Sequence, residues 1–328
     1  MKDEKTILIA TVSQDARAFI PVVEKLTDFA YDPVIFQTDR VLQGEDDFSL
    51  TVDGQTVEAT YNGRNISPSN VASAWYRKPG TVVHDDKDVA KNIYLNNELS
   101  SFNDSLWTVF PEDVWLNSPA KIKVADRKLG QLLIAKETGF SVPKTVVGNN
   151  WGDISSGLAP NQEEIIVKTI KGVIADNNFL KAMFTHRLGH QETVSLASND
   201  ISPYLGIYQP YIKKQREWRT TVVGESVFSA SIYTHEDAKD DWRKHQTNPN
   251  KVEFKKEKFP DELSEKCIKY LGKMGLKYGA FDFIETPDGE IVFLECNPNG
   301  QYGWLEEELG FPISECIATE LIKIANRS

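Results

Sequence analysis

Short apolar runs and helical periodicities alternate along the first part of the chain. Thr6–Val12 is an apolar run of strand length, followed by Ser13-Gln-Asp15 and a helical pattern at Phe19, Val22, Val23 and Leu26. Asp32-Pro33 then leads into a second run, Val34-Ile-Phe36. Strand, helix and strand in that order predict a parallel α/β unit. Phe48–Val52 and Thr56–Tyr61 flank Asp53-Gly54 and predict a hairpin, and Ala72–Tyr76 is a further apolar strand ending at Arg77-Lys78-Pro79. The stretch to Phe110 is helical with polar edges, and a boundary falls near Pro111–Asn117.

Beyond that boundary the pattern changes. Asp126–Thr138 is apolar at Leu129, Leu132, Leu133 and Ala135 and stops at Gly139, a helix with a glycine C-cap. Val142–Val147 and Ile165–Lys168 read as strands, and Tyr208–Ile212 as an extended connector whose Pro210 suits no central strand. Thr220–Val223 and Val227–Tyr233 flank Gly224-Glu225 as another hairpin; Leu263–Met274 and Ile313–Ala325 are amphipathic helices. The fold class is an α/β opening followed by α+β.

The last hairpin carries chemistry. Tyr278-Gly-Ala-Phe-Asp282-Phe-Ile and Glu290-Ile-Val-Phe-Leu-Glu295-Cys-Asn297 are apolar strands interrupted by two carboxylates and an amide. A two-residue Asp288-Gly289 turn sets Asp282 opposite Glu295, with Asn297 two residues on along the same face. Opposed Cβ atoms stand roughly 4.5–5.5 Å apart, so two bare carboxylates there repel unless a cation joins them. Oxygen ligands alone suit a hard ion such as Mg²⁺. A three-residue loop would put the two acids on opposite faces, each alone among Phe281, Phe283, Phe293 and Leu294. The even loop is therefore preferred. Alternation sends Cys296 to the other face, where it packs.

At 328 residues, 40% apolar and 26% charged, the chain has room for two or more lobes. A net charge of −11 argues against general nucleic-acid binding. The run Lys251, Lys255, Lys256 and Lys258 is broken by Glu253 and Glu257 and reads as a solvated face. Three cysteines without CxxC spacing suggest reduced thiols. With no secretory signal and no membrane-length apolar run, a cytoplasmic protein without membrane contact is expected.

Lys168 ends an apolar strand before Thr169-Ile-Lys171-Gly172, a position suited to meeting phosphate, and Lys128 opens a helix. Two lysines, then Gln209-Pro-Tyr-Ile212-Lys213, then Asp282 with Glu295-Cys-Asn297, follow the order of the ATP-grasp superfamily. Asp126-Arg-Lys128-Leu-Gly-Gln-Leu and Gly139-Phe-Ser-Val-Pro143-Lys-Thr145 resemble its lysine helix and following strand. Trp75-Tyr-Arg77-Lys-Pro79, Asp241-Trp-Arg243 and Asn297-Pro-Asn-Gly-Gln301 narrow the resemblance to the microviridin-type (graspetide) maturases, which macrocyclise ribosomally made precursor peptides.

That resemblance implies an N-terminal α/β pre-grasp domain over 1–115 and an α+β ATP-grasp domain over 116–328, split into a central lobe (116–208) and a C-terminal lobe (209–328). It implies ATP and Mg²⁺ as cofactors, with Asp282, Glu295 and Asn297 holding metal and Lys128 and Lys168 on the α- and β-phosphates. Gln209, Tyr211 and Ile212 would bracket adenine, and Arg219 and Arg243 would meet the γ-phosphate and the substrate carboxylate. The implied reaction activates Asp or Glu side chains as acyl phosphates and joins them to Ser or Thr hydroxyls as ω-esters, the favoured outcome, or to Lys amines as ω-amides. The implied partner is a precursor peptide of leader plus core, met around Glu192 to Tyr204; a homodimer is implied too. The rival expectation is an ATP-grasp ligase of amino acids or glutamate, acting on a small molecule or a protein tail. The Lys-Thr-Ile-Lys-Gly segment departs from the pattern, being poor in glycine for a phosphate-covering loop.

Overall fold

The computed structural model describes residues 6–80, 87–158, 164–170, 173–176, 179–182, 186–198, 203–235, 248 and 250–327. The chain opens with β1 (Thr6–Thr11), α1 (Ala16–Asp28) and β2 (Val34–Gln37). Next come α2 (Thr38–Gln43), β3 (Phe48–Asp53), β4 (Thr56–Tyr61), β5 (Arg64–Asn65) and β6 (Val71–Tyr76). As the pattern predicts, β1 pairs in parallel with β2, and it pairs in parallel with β6 on its other side. All of β1 is buried, because both faces are covered. Ile7 and Ile9 face a core with Phe19 and Val22 of α1, while Leu8 and Ala10 face Phe36, Trp107 and Trp115. The β3–β4 hairpin turns at Gly54, one residue later than read from the sequence, since Asp53 still pairs with Thr56.

Three helices follow: α3 (Val89–Leu106), α4 (Pro119–Ala125) and α5 (Lys128–Thr138). The helix expected from Asp126 starts at Lys128, and Gly139 caps it at φ +91° as anticipated. The expected strand Val142–Val147 contracts to β7 (Val146–Gly148). Pro143 offers no N–H and biases Val142, so pairing begins only beyond them.

A four-stranded antiparallel sheet is then completed around α6 (Trp151–Leu158), β8 (Ile165–Lys168), β9 (Val173–Asp176), β10 (Phe179–Ala182), β11 (His186–Arg187), α7 (His190–Ala197) and β12 (Gly206–Pro210). Its order is β11-β8-β12-β7, while β9 and β10 pair only with each other among the described residues. The proline-bearing connector is thus a central strand, contrary to expectation. Pro210 is tolerated because it is the last residue, where β12 still meets Ile165 of β8 but has passed the end of β7.

The C-terminal part is a five-stranded antiparallel sheet of order β15-β14-β13-β16-β17. Its elements in chain order are β13 (Arg216–Val223), β14 (Ser226–Thr234), β15 (Val252–Lys256), α8 (Asp261–Met274), β16 (Tyr278–Glu285), β17 (Ile291–Asn297), α9 (Gly303–Leu309) and α10 (Ile313–Ala325). The lysine-rich run includes β15, an edge strand, where charge discourages further pairing. Phe281, Phe283, Phe293 and Cys296 enter a core with Phe140, Tyr270 and Leu271. Across the molecule, α10 packs on α1, so the first and last helices share one core. Among the described residues, no helix is long and apolar enough to cross a membrane.

Candidate functional site

The β16–β17 hairpin sets Asp282 opposite Glu295 and Ala280 opposite Asn297, so the two acids and the amide share a face. The route differs from the one expected. The loop is the three-residue Pro287-Asp288-Gly289, with Gly289 N–H on Thr286 O (2.9 Å) and Gly289 at φ +88°. Counting from that loop, Asp282 should face Leu294. A β-bulge resets the count: Phe283 pairs with Phe293, Asp282 with Glu295, and Leu294 is the extra residue. Phe293 N–H reaches Ser141 O at 2.8 Å, outside the hairpin ladder.

Arg219 on β13 lies beside Asp282 in register and donates through Nη1 to both its oxygens, at 2.9 and 3.0 Å. Its Nη2 donates to Gln301 O at 3.1 Å. Both side chains are buried, yet Arg219 Nε has no acceptor among the described residues. A phosphate or carboxylate oxygen is an acceptor of the missing kind. Asn297 is exposed, and its Oδ1 accepts Asn299 N–H at 3.0 Å, starting the turn that runs to Gln301.

One organising residue escapes the sequence reading. Gln131 on α5 is buried; its Oε1 accepts Cys296 N–H (3.0 Å), and its Nε2 donates to Cys296 O (2.8 Å). It therefore acts as a one-residue strand partner for the position between Glu295 and Asn297. Lys128 lies one helical turn earlier on the same face, which was the signal available. Cys296 itself points into the aromatic core, and burial pushes its thiol well up from the ordinary range.

Lys128 Nζ donates to Thr169 O at 3.1 Å, bringing α5 to the end of β8, where Lys168 sits half-buried. Gln209 is buried with Nε2 on Thr145 Oγ1 (2.9 Å). Tyr211 N–H is engaged by Glu164 O at 2.9 Å, and the Arg187 guanidinium lies 4.3 Å from the Tyr211 ring. Ile212 follows, half-buried. Arg243, with Asp241, His245 and Lys171, lies outside the described residues.

Around Asp126 and Glu295 the electrostatics suit a bound cation. Partial desolvation, then the negative charge of Glu295, raises the Asp126 carboxyl above its usual range, although the residue as a whole remains exposed. Lys78 is lowered by burial and by Arg77, with a smaller push from Arg219, against a counter-pull from Asp15. The donor set Asp282, Glu295 and Asn297 is all oxygen, as Mg²⁺ prefers. A carboxylate has about four lone-pair sites, so pairing with Arg219 does not preclude a metal on Asp282. Among the described residues no three His, Cys, Asp or Glu side chains gather as a metal cluster.

No protein-family model matches the chain, and no curated protein does. Solved structures do. The macrocyclase MdnC from Microcystis aeruginosa MRC, crystallised with precursor peptide MdnA, is 26% identical with a TM-score of 0.82, over 97% of this chain and 99% of that one. MdnB from the same organism, also a macrocyclase, is 27% identical with a TM-score of 0.77, over 97% and 99%. A Chryseobacterium gregarium RiPP-associated ATP-grasp ligase, in complex with ADP and a leader and core peptide, shares the fold at 24% identity and a TM-score of 0.82, over 97% of both chains. Fold and likeness define the class: the chain has the fold of the ATP-grasp ligases. Within that fold it is similar to the macrocyclases MdnC and MdnB, in line with the resemblance read from its Trp-Tyr-Arg-Lys-Pro and Asn-Pro-Asn-Gly-Gln motifs.

Proposed function

We propose that this enzyme macrocyclises a ribosomal precursor peptide, spending ATP to activate Asp or Glu side chains and joining them to Ser or Thr hydroxyls, or to Lys amines. The observation that carries the reading is the single face holding Asp282, Glu295 and Asn297, with Arg219 docked on Asp282 and its buried Nε without a described acceptor. ATP and Mg²⁺, when bound, supply the phosphoryl group and neutralise its charge. The three oxygen donors would hold the metal. Lys128 and Lys168 would take phosphate oxygens, and the backbone at Gln209–Ile212 would line the base. Arg219 would orient the substrate carboxylate with its planar fork, and the Asp-Trp-Arg motif assigns Arg243 to the γ-phosphate or that carboxylate. Esters are favoured over amides. The domain division at 115/116, a homodimer and a cytoplasmic setting belong to the same proposal; the free cysteines Cys267, Cys296 and Cys316 accord with a reducing compartment.

The test is intact-mass analysis of leader-bearing precursor peptides incubated with the enzyme, ATP and Mg²⁺. Loss of one water mass per crosslink is expected, absent without ATP, and hydroxylamine cleavage then identifies esters. ADP release with free amino acids, and none with peptides, would replace this reading by the small-molecule ligase.

A further inference from the structure

The side chain of Arg77 is fully buried although it stands at the end of β6, far in sequence from the hairpin. A buried guanidinium is tolerated only when its donors are met, and here they are met from two directions. Nε donates to Asp15 Oδ2 at 2.8 Å. Nη1 donates to Asn299 O at 2.8 Å and Gly300 O at 3.3 Å, and Nη2 to Gln301 Oε1 at 2.6 Å. Gln301 Nε2 closes the ring on Asp15 Oδ1 at 3.1 Å. The indole of Trp75 and the phenol of Tyr302 flank the guanidinium at 5.8 and 5.9 Å.

The acceptors of Nη1 and Nη2 are three successive residues of the turn that leaves β17. The same turn faces the site with its remaining contacts: Asn299 N–H on Asn297 Oδ1, and Gln301 O on Arg219 Nη2. The close approach tolerates no side chain at Gly300, where a Cβ would lie 2.4 Å from Ala280 Cβ and 2.9 Å from Arg219 Nη2. A small rotation of the turn would therefore move the Asn297 amide and the Arg219 fork together. Lysine carries the same charge but cannot present three directed donors in a plane.

We infer that Arg77, from the N-terminal sheet, is a positioning residue for the metal-binding and carboxylate-binding face, acting through the 297–301 turn. The inference rests on the function proposed above, and its test separates the two. ADP binding is measured by calorimetry with Mg²⁺ and with EDTA for the wild type, Arg77→Lys and Gln301→Met. Val22→Ala, in the shared core, serves as a comparator of lowered stability. All are assayed well below their melting temperatures. Both site variants should lose roughly tenfold to a hundredfold of the Mg²⁺-dependent gain in ADP affinity, as a displaced supporting shell does. Binding in EDTA should be unchanged, and Val22→Ala should keep the wild-type gain. Gln301→Met keeps the Arg77–Asp15 pair and decides the matter if Arg77→Lys fails to fold. Wild-type Mg²⁺ dependence in the site variants, or none in the wild type, overturns the inference. A wild type that binds Mg²⁺ and ADP normally but condenses no precursor overturns the proposed function instead, and the variant comparison stands.

Discussion

In the five-stranded sheet, Asp282 and Arg219 are buried, bonded to each other and braced by the turn at Gly300, while the opposite face of the same strands is packed with Phe281, Phe283 and Phe293. In the four-stranded sheet, Lys168, Tyr211 and Ile212 lie half-buried at or just past strand ends. The first set is buried around an ion pair; the second stands half-buried at strand ends. The first arrangement fixes atoms before a ligand arrives, as a site that stabilises developing charge requires. The second suits a nucleotide that must enter and leave. Substitutions in the first should therefore cost rate and stability together, and those in the second should cost binding alone.

The sharpest test is Asp282→Asn. It keeps a hydrogen-bond acceptor for Arg219 but removes the charge, and condensation followed by intact mass should slow about 10²- to 10³-fold. The Arg219 cation left in a buried setting should lower the melting temperature. Gly300→Ala comes next. The clash with Ala280 must displace the turn, and a shift of about 1 Å is worth roughly a hundredfold in rate, with a lowered melting temperature in thermal scans. In the other sheet's neighbourhood, Lys128→Met should raise the KM for ATP about tenfold, the worth of one charged hydrogen bond, with no change in melting temperature. Equal losses of stability in Lys128→Met and Gly300→Ala would break the contrast.

The smallest effect is set by pH. The Asp126 carboxyl is raised by burial and by Glu295, so the folded chain binds that proton more tightly than the unfolded one. Ionised Asp126 is thus a cost at neutral pH. Asp126→Asn should melt slightly higher than the wild type there, and the advantage should vanish as pH falls below the ordinary carboxylate value. Added Mg²⁺ should shrink it as well.

Comparing the sheets also shows what could be read in advance. Asp282, Glu295 and Asn297 stood out because polar groups in apolar strands have few explanations, and their shared face is observed. The loop length is hidden because Asp288-Gly289 is a strong two-residue turn signal, whereas Pro287 ahead of it makes a three-residue loop. The bulge gave no local signal, since Leu294, the extra residue, is as apolar as the strand residues before it. Nothing local in the sequence marks the roles of Gln131 and Arg77, since a lone amide or guanidinium reads as surface until its partners are known. In the four-stranded sheet Pro210 misled for a similar reason; a strand can be central along part of its length and edge-like at its last residue.

Leu294 bears on how such sites are found. With it present, the two carboxylates stand thirteen positions apart in the chain; a relative lacking the bulge would face them across the same rung at a spacing one shorter. A pattern search that measures from acid to acid with a rigid ruler would pass over that relative, whereas one that permits a single slip between the phenylalanine and the glutamate would retain it.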